Sequence, residues 1–254
     1  MSDAPTPIFD RAFISNQHGR RSPIDPKYRF LFDPAEKDAL DRLDFLKEKA
    51  KTVALHGRRF FKHADTQFHQ HARFKTSPHE DFQFIDNADD LTHFDAVISL
   101  FSLHAANDVQ KVLNELKNKL TDKGMFVGCV FGAKTLPLLR QALATAEQDI
   151  RGTAGARIYP FAEAPAWVGQ LQNAGYALPV ADSELITVHY KSLRGMLTDL
   201  RMMGEANGMV NRPRTGLTPA IIDRAEVIYK ELANDENGLL PATYEIIWLQ
   251  GFKS

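Results

Sequence analysis

Cysteine is almost missing: Cys129 is the only one in 254 residues. A single thiol excludes an intrachain disulfide framework and fits a reducing compartment. Its neighbours, in the apolar run MFVGCVF, mark it as a small buried hydrophobe rather than a nucleophile. Long apolar runs are missing too, none approaching the roughly 18 residues that a membrane-spanning helix needs. The opening residues, MSDAPTPIFDR, hold neither an apolar signal core nor a long acid-free amphipathic stretch. That pattern predicts neither secretion nor an uncleaved mitochondrial presequence, with the cytoplasm as the default. Net charge is equally scarce. Basic residues number 31 and acidic ones 32, so at −1 no global field recruits nucleic acid or an anionic membrane.

What is present is the pattern of a soluble α/β domain long enough to bury a sizeable core. Residues 1–33 read as an N-terminal arm with few periodic apolar positions and several basic ones: Arg11, Arg20, Arg21, Lys27 and Arg29. Two readings stand: a solvated arm that packs through Ile8, Phe9, Phe13 and Phe30, or a lid or partner-docking arm. Residues 34–254 read as the domain proper. Asp33-Pro34-Ala35-Glu36 has the spacing of a capped helix start, running to about Lys51. Thr52 to Leu55 follows as a short apolar strand, with His56 to Arg59 as its turn. Between Phe60 and Asp81, His63, His69 and His71 raise a metal site. No carboxylate or cysteine completes a ligand spacing, so a polar helix is the expectation and no metal is assigned. Phe82 to Asp86 reads as a strand.

Phe94 to Gly128 is the most informative stretch. Asp95 to Leu100 is a buried strand; Asn107 or Asp108 caps a helix whose Val109, Val112, Leu113, Leu116 and Leu120 share one face. Gly124 ends the intervening turn and Met125 to Phe131 forms a second buried strand, completing a right-handed βαβ unit. Further helices are expected from Thr135-Leu136-Pro137 to about Ile150 and from Glu163 to Asn173, and a strand from Leu185 to Tyr190. A helical insert over about 191–240 carries helices at Ser192–Ala206 and Thr218–Ala233. Thr243 to Phe252 closes the chain as a strand with no crossover helix, hence antiparallel.

Four stretches carry a family resemblance that spans nearly the whole chain: PIFDRAFISNQHGRR, FDAVISLFSLHAANDV, SLRGMLTDLRMMGEANGMVNR and PATYEIIWLQGFK. The last three resemble FDLVVSSLSLHWVNDL, a helix ending in DLRGMGESNA, and PATFQIIYLTGWK. These segments belong to class I S-adenosylmethionine-dependent methyltransferases of type 11, in the subgroup of the mitochondrial complex I assembly factor 5 proteins and their bacterial relatives. The resemblance implies a Rossmann-like sheet, mostly parallel with an antiparallel C-terminal strand. It also implies helices on both faces and a helical insert before the last strand.

It further implies S-adenosylmethionine as cofactor, held by a D/E-x-G-x-G-x-G loop after the first strand. Here that stretch is Val53 to Arg59; only Gly57 survives, the acid is missing, and Arg58 and Arg59 stand where side chains are unwelcome. No acid is evident in His71 to Pro78 for the ribose hydroxyls. Leu55 and Gly57 mark the loop, Asp86 and Asn87 the adenine side, and Ser99, Ser102 and His104 the end of the fourth strand. Asp86 reads equally as a turn cap and His104 as a packing residue. Asp199, Arg201, Glu205 and Asn207 form a second polar group, either an ion-paired brace with Arg201 and Glu205 on one helical face, or a grip on a protein substrate. No catalytic base stands out.

Two functions follow from the resemblance. One is an assembly or chaperone-like pseudoenzyme with an eroded cofactor loop, binding a protein partner such as a respiratory complex I subunit. The other is an active methyltransferase of a small-molecule or carrier-protein acceptor. Relatives linked to arginine hydroxylation add a third, although no iron triad is legible. The expected location is the cytoplasm of a bacterium or the mitochondrial matrix of a eukaryote.

Overall fold

The computed structural model describes residues 6–20, 24–43, 52–56 and 93–254. The expected loop Gly57–Arg59, the histidine-rich stretch 60–81, the strand 82–86 and the loop carrying Asp86 and Asn87 lie outside the described residues. So does the expected end of the second helix near Lys51.

The described residues form one sheet in the order β1 (Val53–His56), β2 (Phe94–Leu100), β3 (Leu120–Phe131), β5 (Leu240–Lys253), β4 (Tyr176–Tyr190). β1, β2 and β3 pair in parallel; β5 runs antiparallel to both β3 and β4. The sheet is therefore mostly parallel with an antiparallel C-terminal strand, as expected. Strand periodicity divides the core into two layers. Val53, Leu55, Ile98, Val127, Ile246 and Trp248 face one side. There they meet the helices α2 (Phe32–Leu43), α4 (Pro137–Arg151), α6 (Leu193–Met202) and α7 (Pro219–Ala233). Ala54, Val97, Phe126, Val130, Ile247 and Leu249 face the other, under α3 (Val109–Asn118) and α5 (Ala164–Asn173).

Local chemistry explains most boundaries. The Asp108 carboxylate caps α3 by accepting from Lys111 N, and Ser192 and Thr218 cap α6 and α7 in the same way. Four expectations are corrected. Helix α2 starts at Phe32, so Asp33 sits in its first turn and is not the cap. The buried guanidinium of Arg29 draws both acids of the expected capping box, bonding Asp33 Oδ1 at 2.6 Å and Glu36 Oε1. His56 is the last residue of β1, not part of a turn. Strand β4 begins at Tyr176 rather than Leu185. A bulge between Ala177 and Val180, with Leu178 at φ 49°, carries this edge strand past Pro179. Finally, α6 stops at Met202 because Gly204 takes φ 79° and Glu205 N bonds back to Leu200 O.

The N-terminal segment is stitched across the top of the sheet. Phe9 bridges Met209, and the Asn107 side chain clamps Phe9 through its N–H (2.7 Å) and carbonyl (2.9 Å). The helix α1 (Arg11–Arg20) follows, with Ile14 buried against Tyr159 and Ala105.

Candidate functional site

The carboxyl ends of β1, β2 and β3 lie side by side, where open α/β sheets bind ligands. At the end of β1, His56 Nδ1 meets Ser99 Oγ of β2 at 2.8 Å, both side chains buried. Burial, with the charge of Arg11 in addition, holds the His56 imidazole neutral by lowering its pKa to about 3. Arg11 also donates to the carbonyl of Ala105 at 2.9 Å, tying α1 to the segment after β2. That segment leaves the sheet sharply: Phe101 takes φ 49°, a left-handed setting that costs about 1 kcal/mol outside glycine. Its ring is fixed between Phe32 and Phe131, at 5.1 and 4.8 Å.

The sign of the His56 contribution is testable. The folded form resists protonation while the unfolded histidine titrates near 6.5, so this stability is present above pH 6.5 and lost as pH falls towards 3. The wild-type stability should fall by about 1.4 kcal/mol per pH unit over that window from this group. Denaturant titrations at pH 6.5, 5.5 and 4.5 should show that slope reduced in His56→Asn; an unchanged slope would refute the assignment.

The described cofactor candidates turn into the protein. Leu55 belongs to the core, Ser99 is taken by His56, and Ser102 Oγ donates to Leu100 O at 3.1 Å. His104 packs between Phe131 and Phe161, with ring centroids at 5.2 and 5.5 Å. Its Nε2 lies 3.8 Å from Glu205 Oε2. Among the described residues this set supplies neither a ribose carboxylate nor a backbone cradle. Gly57, Asp86 and Asn87 lie outside the described residues.

Beside this crevice a small open cleft lies under the helical insert. Phe131, Tyr159, Phe161 and Tyr244 supply aromatic walls, and Glu205 a carboxylate whose side chain is 8% exposed. Of the second polar group, Glu205 and Asn207 border the cleft; Asp199 and the exposed Arg201 stand on α6 and are not in its lining. Because α6 ends before it, Glu205 leaves the helical face of Arg201 and turns to His104. Asn207 is a brace: its Nδ2 donates to Ala156 O at 2.7 Å and its Oδ1 accepts from Met209 N.

Sequence reasoning missed the loop that builds the outer wall. Arg157-Ile158-Tyr159-Pro160-Phe161 joins α4 to α5, and its aromatic-proline pattern between two helices was the available signal. Arg157 anchors it by a bidentate bond to Glu147 of α4, which also pairs with Arg151 at 2.9 Å. Tyr159 Oη accepts from Gly208 N at 2.9 Å, joining the loop to the insert.

Comparison with known proteins finds relatives by sequence. No protein-family model matches the chain. It is 35% identical over 160 residues to the rat protein named arginine-hydroxylase NDUFAF5, mitochondrial, covering 63% of this chain and 46% of that one. It is 32% identical over 155 residues to malonyl-[acyl-carrier protein] O-methyltransferase of Halorhodospira halophila, covering 61% and 50%. Over this region the chain is similar both to the NDUFAF5 proteins and to the malonyl-carrier methyltransferases. Among solved structures, YcgJ of Bacillus subtilis aligns at a TM-score of 0.46 and 12% identity, over 85% of this chain and 98% of that one. The chain spans about half the length of the curated relatives it matches. No helix among the described residues is long and apolar enough to cross a membrane.

Proposed function

We propose that this NDUFAF5 relative binds a protein partner by taking one of its arginine side chains into the aromatic cleft, on a methyltransferase fold whose cofactor side is reduced. The observation that carries the reading is the Glu205 carboxylate set among Phe131, Tyr159, Phe161 and Tyr244. A guanidinium stacks on aromatic faces and pairs with carboxylates through its planar fork, so acid and rings together favour arginine over other side chains. The names of the NDUFAF5 relatives, arginine hydroxylases, point the same way. By the sequence resemblance, the partner is a respiratory complex I subunit.

The alternative, methylation of a carboxylated carrier-bound acceptor, draws on the malonyl-carrier methyltransferase relatives. The cleft disfavours it. Its cation, Arg157, is committed to Glu147, and Glu205 would repel a second carboxylate. The reduced cofactor side rests on the inward-turned Ser99, Ser102 and His56 and on the missing glycines of the sequence.

Calorimetry with an arginine-containing peptide tests the reading. Glu205→Gln should weaken binding about tenfold or more, consistent with a charge-assisted contact worth roughly 1.5–3 kcal/mol. Equal affinity of the two proteins would end the proposal. Thermal shift with S-adenosylmethionine and S-adenosylhomocysteine tests the second clause, since micromolar binding should raise the melting temperature and restore the active-enzyme reading.

A further inference from the structure

Where the N-terminal segment meets the end of the insert, the surface is apolar and cationic at once. Phe9 and Met209 pair antiparallel and are buried, so alternation turns their neighbours Ile8 and Val210 outward on one face. The two stand opposite one another, joined by Val210 N to Ile8 O at 2.9 Å, and are 53% and 42% exposed. The chain that follows, residues 212–216, gathers four arginines. Arg212 and Arg214 belong to it, and Arg151 and Arg157 donate to Thr215 and Gly216 from α4 and the cleft loop. The four share two bonded carboxylates: Asp10 takes Arg212, and Glu147 takes both Arg157 and Arg151. Arg214 is exposed and donates to the Val210 carbonyl at 3.4 Å. The face adjoins the cleft, since Asn207 lines it and Tyr159 Oη holds Gly208 N, two residues before Val210.

We propose that this face docks an acidic segment of the protein partner, an apolar side chain lying on Ile8 and Val210 and carboxylates turned to Arg214 and Arg151. The proposal rests on the arginine reading for what enters the cleft, and adds the chemistry of the chain that flanks that arginine. Arginines alone are ordinary solvated surface. Arginines around outward-turned apolar side chains have the composition of an interface, and their surplus charge calls for a partner of opposite sign. The surplus is too small for an anionic membrane, which is drawn to clusters of about 4–8 basic residues.

The test uses the full chain and calorimetry with three peptides. The first is Asp-Asp-Leu-Gly-Gly-Arg-Gly-Gly-Leu-Asp-Asp, whose glycine spacers let either flank reach the face. The second has asparagine for every aspartate, and the third has glutamine for the arginine. The wild type should bind the first about tenfold tighter than the second at low salt, an advantage that shrinks at about 0.5 M salt as exposed charges are screened. Arg214→Glu should abolish that advantage, and Val210→Ser should weaken the first peptide about fivefold. Both variants should melt at the wild-type temperature; a fall of several degrees would show that these side chains serve the fold, and would overturn the proposal. Equal binding of the first two peptides, or an advantage that survives in Arg214→Glu, would overturn the docking face and leave the Glu205 cleft standing. A third peptide that binds as tightly as the first and still needs Arg214 would sink the cleft reading and leave the face standing. Tighter Arg214-dependent binding to vesicles of phosphatidylserine and phosphatidylcholine in equal parts would overturn the proposal in favour of a membrane.

Discussion

Glu147→Ala should lower the folding free energy by about 3 kcal/mol, measured by urea unfolding at pH 7. The carboxylate is 2% exposed and accepts two bonds from Arg157 and one from Arg151. Arg157 then donates to Thr215 O and Arg151 to Gly216 O, so one acid joins α4, the cleft loop and the insert. Removing one partner of a buried ion pair leaves the opposite charges uncompensated, and losses of roughly 3–5 kcal/mol follow. The lower end is expected here because Arg151 retains 25% side-chain exposure and reaches water. A loss below about 1 kcal/mol would mean that the cluster is a surface pair in effect.

The same residue shapes the acid limb of stability. Burial alone would raise the Glu147 pKa, but the hydrogen bonds and charge of Arg157, with Gly155 N and Arg151, hold it net below the usual carboxylate value. Its contribution is therefore complete above about pH 4.5 and is lost as pH falls through the lower folded value. Glu147→Ala should flatten that portion of the curve and leave the pH 6.5–4.5 portion, which belongs to His56, in place. The two windows separate two groups that a single acid melt would merge.

The parallel half of the fold was legible because its signals are local. Buried runs such as Ala96–Leu100, a helical face at Val112, Leu113 and Leu116, and a capping Asp108 each announce themselves within a few residues. The antiparallel edge was less so. Tyr176 to Glu184 contains Pro179, Asp182 and Glu184, and its pairing depends on β5, which lies some 60 residues on in the chain. Asp182 meets Arg42 and Glu184 meets Trp248 Nε1, contacts that no short window reveals. The cleft was half legible. Glu205 and Asn207 stood out as polar residues in a motif, but the contact that gives Glu205 its place depends on where α6 stops. That is a matter of backbone at Gly204. Glu147 looks like an ordinary helix residue until Arg157 and Arg151 are brought to it.

These placements also account for the motif that ends the insert's first helix. In Gly204-Glu205-Ala206-Asn207-Gly208, one glycine reverses the chain, the acid enters the cleft, the asparagine holds the neighbouring loop, and the last glycine admits the N-terminal arm. Of these five residues, Glu205 and Asn207 line the cleft.

Gly208→Val should test the placement of that last glycine, with an expected loss of about 2–3 kcal/mol from overpacking. A Cβ at this position would sit 2.3 Å from Ile14 Cγ1 and 2.7 Å from Tyr159 Oη. Neither neighbour yields cheaply: Ile14 is buried in the cluster with Phe9 and Met209, and Tyr159 Oη is bonded to the Gly208 amide. Relief therefore requires the arm or the loop to move. The arm gives up the Asp10 N to Gly208 O bond of 2.8 Å, while the loop gives up an aromatic wall of the cleft. Hydrogen exchange should rise at the amides of Asp10, Ile14 and Phe161 while those of β2 and β3 stay protected. Arginine-peptide affinity should fall with them, although Gly208 itself is outside the cleft lining. Affinity kept intact in a destabilised Gly208→Val protein would show that Tyr159 is dispensable as a wall, and that the cleft recognises its ligand from the Glu205 side alone.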